Sequence, residues 1–190
     1  MDPKKFYIIS KQIHKLLRND DTINEIGWRT IANRIYYYLY HIARNDLSEK
    51  LHQDPFFIDE GLLGDKFSHH KKVIRFYEHT SNLLRRNRYT DEADYADENK
   101  DILEFYLSIR EVADYNIGSS FQSLNGSFKN FPFDIDNYSI DFENPSEIWE
   151  RLLTSDPPIA AEILLKNNDN IISGLKNIKR EDVIKLIRRL

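Results

Sequence analysis

The chain has 190 residues, enough for one domain of ordinary size with a small appendage. Its net charge of −4 excludes a global basic field, so a polyanion site has to be a local patch. The absence of cysteine excludes disulfides, thiolate zinc sites and a cysteine nucleophile, and suits a reducing compartment. The N-terminus lacks a signal-peptide core and no apolar run is long enough to span a membrane, so we expect a soluble cytoplasmic protein.

Hydrophobic periodicity predicts an all-α fold, with an up-and-down bundle of four long helices and a C-terminal cluster of short ones. The scarcity of glycine and proline, six of each, also favours long helices. The first helix is predicted at residues 4–18. The second begins at the capping box of Thr22 and runs at least to Leu47. The third and fourth are predicted at 68–86 and 94–117.

The C-terminal part is predicted to contain an irregular segment and shorter helices. Residues 119–144 carry no helical period and predict an irregular segment. Asn144 and Pro145 fit the N-cap and first position of a short helix. A second short helix is predicted to start at Asp156 and to end before the asparagine-rich residues 167–170. A basic amphipathic helix follows at 179–190.

These patterns predict two parts. Residues 1–118 would form the helical bundle, and residues 119–190 would form an irregular segment and short helices packed on it.

The second predicted helix carries one cation and one histidine on an apolar, aromatic segment. Arg34 and His41 are seven positions apart. At about 100° per residue they leave the same side of the helix, roughly 10 Å apart along its axis. They lie about 100–120° from the apolar stripe, at the border of the buried face. That stripe consists of Trp28, Ile31, Ile35, Leu39 and Ile42.

RNA cleavage without a metal needs this pair of residue types. The ribose 2′-hydroxyl must lose a proton, the 5′-oxygen must gain one, and the charge on phosphorus must be stabilised. Histidine exchanges protons near neutral pH, and a guanidinium offers a planar charged fork to phosphate. One Arg34–His41 pair supplies half of this apparatus, and two copies across a two-fold axis would supply both halves. In the plainer alternative, Arg34 reaches solvent or pairs with an acid and His41 lies at the edge of the core.

Three segments resemble the HEPN superfamily, small helical domains found in prokaryotic toxin–antitoxin, CRISPR-associated and other defence systems. Ala32-Asn-Arg-Ile-Tyr-Tyr-Tyr-Leu-Tyr-His41 resembles its S-R-x-Y-Y-x-x-F-H helix. His70-Lys-Lys-Val-Ile74 resembles its H-K-x-V/I-I start of the next helix, and Leu107-Ser-Ile-Arg-Glu-Val-Ala-Asp-Tyr115 its L-x-x-R-x-x-A-D-Y segment. Asn33 stands where the family commonly has serine.

The resemblance implies a four- or five-helix bundle, usually dimeric. Many members are metal-independent ribonucleases with an R-x(4–6)-H motif, which Arg34 and His41 match at the long limit. It thus implies an antiviral or toxin–antitoxin ribonuclease without a cofactor, dimeric through the helix of Arg34 and His41. Other members are non-catalytic interaction or nucleotide-binding modules that partner nucleotidyltransferases. An antitoxin or such a nucleotidyltransferase-like protein is the expected partner.

Besides the catalytic pair, six residues are candidates for contacting RNA: Tyr38, Asn45, His70, Lys71, Arg110 and Tyr115. Residues 36–38 are all tyrosines and point three ways on a helix, so at most one is free to stack on a base. Arg110 either forms an i,i+4 ion pair with Asp114 or orients the Arg34–His41 site. His70 and Lys71 lie at a predicted helix start, where free amides favour anions.

Two further patterns are weaker. The basic residues 85–88 and the basic tail fit either solvated faces or a surface that follows an RNA backbone. His69 and His70 are adjacent and diverge on a helix, so we expect no metal site.

Overall fold

A computed structural model describes residues 2–17, 24–57, 67, 69–115, 142 and 146–190. These residues form seven α-helices and no strand, which confirms the predicted all-α class. No helix in the described ranges has the length and apolar character needed to cross a membrane.

The helices follow the predicted order closely. The boundaries are α1 Lys4–Leu17, α2 Asn24–Gln53, α3 His70–Arg86, α4 Thr90–Tyr115, α5 Glu147–Thr154, α6 Pro157–Lys176 and α7 Arg180–Arg188. Helix α4 begins four residues before its predicted start, because Asp91 and Glu92 occupy its first turn, where acids favour the helix dipole.

The predictions for two helices in the C-terminal part are wrong. The N-cap of α5 is Ser146, whose hydroxyl accepts from the backbone N–H of Trp149, and not Asn144. The first helical residue of α5 is therefore Glu147, and not Pro145 as predicted. Helix α6 does not end before residues 167–170 but runs through them to Lys176. The predicted role of Thr22 and most of the irregular segment at 119–144 lie outside the described residues.

The chain divides into two compact units. Unit 1 comprises Met1–His41 and Ile102–Ala161, and unit 2 comprises Ile42–Asp101 and Glu162–Leu190. Helices α2, α4 and α6 each contribute residues to both units. The predicted boundary at residue 118 stays a prediction.

In unit 1, α1 packs against α5, and the apolar stripe of α2 forms the centre of the core. Ile31, Ile35 and Leu39 are fully buried. Tyr106 of α4 donates its hydroxyl to the carbonyl oxygen of Leu152 at 3.1 Å, which satisfies the polar end of a buried ring.

In unit 2, α3 packs against α7, and the core holds a buried polar network centred on Asn168 of α6. The Oδ1 atom of Asn168 accepts from the Tyr77 hydroxyl at 2.8 Å and from Asn99 Nδ2 at 3.1 Å. Its Nδ2 donates to Asp46 Oδ2 at 2.8 Å. Neighbouring Asn167 donates to Glu98 and to Asn99 at 2.8 and 3.0 Å.

This network explains why α6 continues through its asparagines. An asparagine competes with the helix when its amide seeks nearby backbone groups. Here the amides of Asn167 and Asn168 bond to side chains of other helices and leave the α6 backbone intact. The two asparagines are therefore buried residues that bond α6 to neighbouring helices, and they do not end the helix as predicted.

We expect Asn168→Leu to lower the free energy of unfolding by about 2–4 kcal/mol, because it leaves the Tyr77 hydroxyl and an Asn99 donor buried without a partner. Urea denaturation followed by circular dichroism measures this. The control is Asn170→Leu on the same helix, whose amide bonds only to a carbonyl of its own helix. Equal stability of the two variants would contradict the account.

Candidate functional site

Helix α2 places Arg34 and His41 at the border of its buried face. The stripe residues Ile31, Ile35 and Leu39 have no exposed surface, whereas Arg34 and His41 are both half-buried. The side chains of this pair are therefore held partly by the fold and partly open to a ligand. Both belong to unit 1.

Phe6 of α1 lies against both members of the pair. Its ring is stacked on the His41 imidazole, with the centroids 5.5 Å apart and the planes 8° from parallel. The Arg34 guanidinium lies over the same ring, 5.9 Å from its centroid, at cation–π distance. Sequence reasoning placed Phe6 only in the apolar pattern of α1 and missed this role.

The close approach of α1 to α2 depends on Gly27. A Cβ atom at this position would lie 2.2 Å from Cδ2 of Leu17, a buried side chain at the end of α1. Because glycine has no side chain, the C-terminal end of α1 can lie directly against α2. Phe6 lies about three turns before Leu17 on the same helix and stacks on His41.

The tyrosine run contributes one partly open ring, as predicted. Tyr36 and Tyr38 are buried, and Tyr37 is half-buried. The Tyr37 ring is stacked with Phe6 at 5.8 Å and with His41 at 6.1 Å. Tyr38, the predicted RNA contact, is 6% exposed and stacks on Tyr7 at 5.2 Å, so Tyr37 is the more accessible ring of the two.

Arg110 of α4 forms the predicted ion pair and also contacts the site. Its Nε lies 3.1 Å from Asp114 Oδ2. Its guanidinium lies 5.3 Å from the centroid of the Tyr37 ring. Asn33 of α2 donates to the other Asp114 oxygen at 2.8 Å. The two interpretations offered by the sequence are therefore compatible, since the paired Arg110 supports the ring that stacks on His41.

We call Phe6, Arg34, Tyr37, His41 and Arg110 the Arg34–His41 cluster. Beside it, a depression of about 300 Å³ is lined by Ile26, Arg29, Thr30, Asn33, Arg34 and Asp114. Arg29 is committed to the fold, because its guanidinium donates to Glu25 and to the carbonyl oxygens of Val112 and Ala113. The depression can admit a small anionic group next to Arg34.

Arg34 differs from the other two arginines near the site. Within the described residues no hydrogen bond or ion pair reaches it, whereas Arg110 has its ion pair with Asp114. The Nε atoms of Arg34 and Arg110 are both buried donors without a hydrogen-bond acceptor. A buried donor left in this state costs about 1–3 kcal/mol. The Arg34 side chain lines the adjacent depression, where a phosphate group would bring the opposite charge to its guanidinium.

Burial raises the pKa of the Tyr36 hydroxyl well above its usual value, and the neighbouring Tyr40 adds to this effect. Tyr36 therefore stays protonated near neutral pH and does not act as a base. Histidine is the side chain suited to proton transfer in that range, which leaves His41 for this role in the cluster.

The structure describes three of the remaining predicted contacts, and Asn45 lies on α2 about one turn after His41. Asn45, His70 and Lys71 belong to unit 2, and Asn45 and Lys71 are exposed there. Tyr115 is the last residue of α4, and its side chain lies outside the described residues. Their roles stay predictions. No group of three or more histidine, aspartate or glutamate side chains that could hold a metal occurs in the described part of the chain.

The stacking of Phe6 on His41 has a direct spectroscopic consequence. A proton near the face of an aromatic ring resonates upfield, so we expect the His41 ring protons to be shifted upfield in the native protein. Phe6→Leu should move them back toward ordinary histidine values in a two-dimensional NMR spectrum. Phe56→Leu, which alters an aromatic side chain of unit 2, is the control and should leave them in place. Unchanged His41 signals in Phe6→Leu would contradict the geometry.

The chain matches no protein-family model, no curated protein and no solved structure. Its resemblance to the HEPN superfamily therefore rests on the three sequence segments alone. The geometry of the Arg34–His41 cluster is a separate observation.

Proposed function

We propose that the protein is a metal-independent endoribonuclease of the HEPN type that acts as a homodimer in the cytoplasm, in toxin–antitoxin or phage defence. In this proposal α1 to α4 form an up-and-down four-helix bundle that carries the C-terminal helices. The observation that carries the proposal is the buried, unpartnered Nε of Arg34 beside the stacked imidazole of His41.

The proposed reaction assigns one step to each group. A neutral His41 accepts the proton of the ribose 2′-hydroxyl, whose oxygen attacks the adjacent phosphorus. The bond from phosphorus to the 5′-oxygen breaks, and a protonated histidine gives its proton to that oxygen. The products are a 2′,3′-cyclic phosphate end and a 5′-hydroxyl end. Arg34 binds a non-bridging oxygen and stabilises the charge that develops on the phosphorane.

The stacked arrangement suits this role. Phe6 and Tyr37 both stack near-parallel to the His41 ring and to each other, with centroids 5.5 to 6.1 Å apart. Stacking of this kind restricts the orientation of the imidazole plane, and with it the directions in which the ring nitrogens point. Positioning of this kind is a main source of rate enhancement in enzymes that bind phosphates.

The dimer follows from the chemistry and is supported by the surface of α1. One histidine cannot be base and acid in the same step, so a second copy has to supply the other group. Ile9 and Leu16 are 41% and 67% exposed and, seven positions apart, share one side of α1. Ile9 follows Phe6 by three residues, so exposed apolar surface adjoins the cluster.

In the presence of EDTA we expect purified protein to cleave single-stranded RNA, and His41→Ala to lower the rate at least about 100-fold, because the proton-transfer group is lost. Gel analysis of a labelled RNA gives the rate, and end-group analysis should show cyclic phosphate. The matched control is His52→Ala, an exposed histidine of the same helix bonded to Ser48. Cleavage by His41→Ala at the native rate would overturn the assignment.

The double variant Ile9→Asp/Leu16→Asp should be monomeric and inactive while it stays folded, because both side chains are exposed in the single chain. Analytical ultracentrifugation measures the mass. Leu165→Asp changes an exposed leucine of α6 and should stay dimeric. A native protein that is monomeric at every concentration, or an active monomeric variant, would contradict the dimer.

The second candidate is a non-catalytic interaction or nucleotide-binding module that pairs with a nucleotidyltransferase-like protein. The exposed apolar side of α1 also fits this function, since such surface suits a different partner as well as a second copy. Absence of cleavage together with a stable monomer would favour this candidate.

A further inference from the structure

Unit 2 contains a groove between α3 and α7 that joins two basic segments far apart in the sequence. Its volume is about 580 Å³. Its charged and titratable lining residues are His79 and Arg86 from α3 and Asp182, Lys185 and Arg189 from α7 and its C-cap. Cations therefore outnumber the single acid, although the chain as a whole carries a net charge of −4.

The one acidic residue of the groove already has an ion-pair partner. Asp182 pairs with Lys185 on its own helix at 3.1 Å. Both side chains are well exposed, 44% and 66%, so the pair is weak and screened by solvent. Arg86 and Arg189 are exposed, and within the described residues neither has an ion-pair partner. These two arginines are the open cations of the groove.

The neighbouring Arg85 shows that only one side of α3 carries a basic side chain without an acidic partner. Its Nη2 donates to Asp94 at 2.7 Å and to Asp97 at 2.6 Å, so acids of α4 neutralise it. The sequence presented residues 85–88 as one basic cluster. The structure separates them and leaves Arg86 facing the groove with Arg189.

The other lining groups suit a nucleic acid strand better than an isolated ion. Asn82 and Asn87 add amide donors and acceptors, and Leu83 and Leu186 add apolar surface. Arginine forks bind phosphate oxygens, amides reach sugar and base edges, and apolar surface accepts a ring. Cations from two helices along one open groove fit a phosphodiester chain with repeated charges.

We propose that this groove, lined by Arg86, Lys185 and Arg189, binds the phosphodiester backbone of single-stranded RNA. The choice of RNA rests on the proposed function, for which the groove would be a second, non-catalytic contact with the substrate. An acidic protein segment is the competing ligand and is tested as such.

The test uses the full chain and a fluorescent single-stranded RNA whose 2′-hydroxyls are all methylated. This probe binds but lacks the nucleophile, so binding is measured apart from cleavage. We expect Arg86→Gln/Arg189→Gln to weaken binding roughly 25-fold at about 0.1 M salt. At this salt concentration each phosphate contact on a single strand strengthens binding about 5-fold, and the double variant loses two such contacts. The slope of log affinity against log salt should fall by about 1.4.

Two variants control for charge and folding. Lys4→Gln/Lys166→Gln removes the same charge from exposed lysines outside the groove and should bind as the native protein does. Arg86→Lys/Arg189→Lys keeps both charges and should recover most of the affinity. Thermal unfolding confirms that each variant is folded.

Native affinity in Arg86→Gln/Arg189→Gln, or equal weakening in Lys4→Gln/Lys166→Gln, would overturn the proposal. Tighter binding of a polyglutamate peptide than of RNA, with the same dependence on the two arginines, would overturn it in favour of an acidic protein. Groove-dependent RNA binding by a protein that cleaves no RNA would support the groove and count against the proposed function. RNA cleavage by a protein whose RNA binding does not depend on the groove arginines would support the proposed function and count against the groove.

Discussion

The face-to-face contact between Phe6 and His41 determines the geometry of the candidate site. It holds the imidazole plane within 8° of a ring supplied by another helix, and the same ring lies under the Arg34 guanidinium at 5.9 Å. One apolar side chain thus contacts both groups that the proposed chemistry requires. At the other end of α1, the Leu17 side chain packs directly on Gly27 of α2.

The three arginines in and beside the cluster differ in their interactions. Arg29 donates to carbonyl oxygens of α4 and so ties α2 to α4. Arg110 forms an ion pair with Asp114 of its own helix and lies beside the Tyr37 ring. Arg34 keeps a buried donor without an acceptor. A fold tolerates such a loss when a ligand restores it, and an anion beside Arg34 would do so. The groove of unit 2 follows the same logic, since Arg85 is neutralised by acids while Arg86 is left open.

Much of the fold could be predicted because helical periodicity is local. The bounds of α1, α3 and α7 and the buried stripe of α2 follow from apolar spacing. The end of α6 could not, because Asn167 and Asn168 are satisfied by partners on other helices that no local pattern reveals. The border position of Arg34 and His41 followed from helix geometry. The role of Phe6 did not, because stacking between helices depends on their packing and not on spacing within one helix.

The central claim is that two copies of Arg34 and His41 form one catalytic site. The most direct measurement is the RNA cleavage rate of an isolated heterodimer with one native subunit and one His41→Ala subunit. If the two histidines act together as base and acid, the heterodimer should cleave far below half the native rate, close to the rate of the His41→Ala homodimer. A heterodimer with half the native rate would show that each subunit works alone, and would contradict the account.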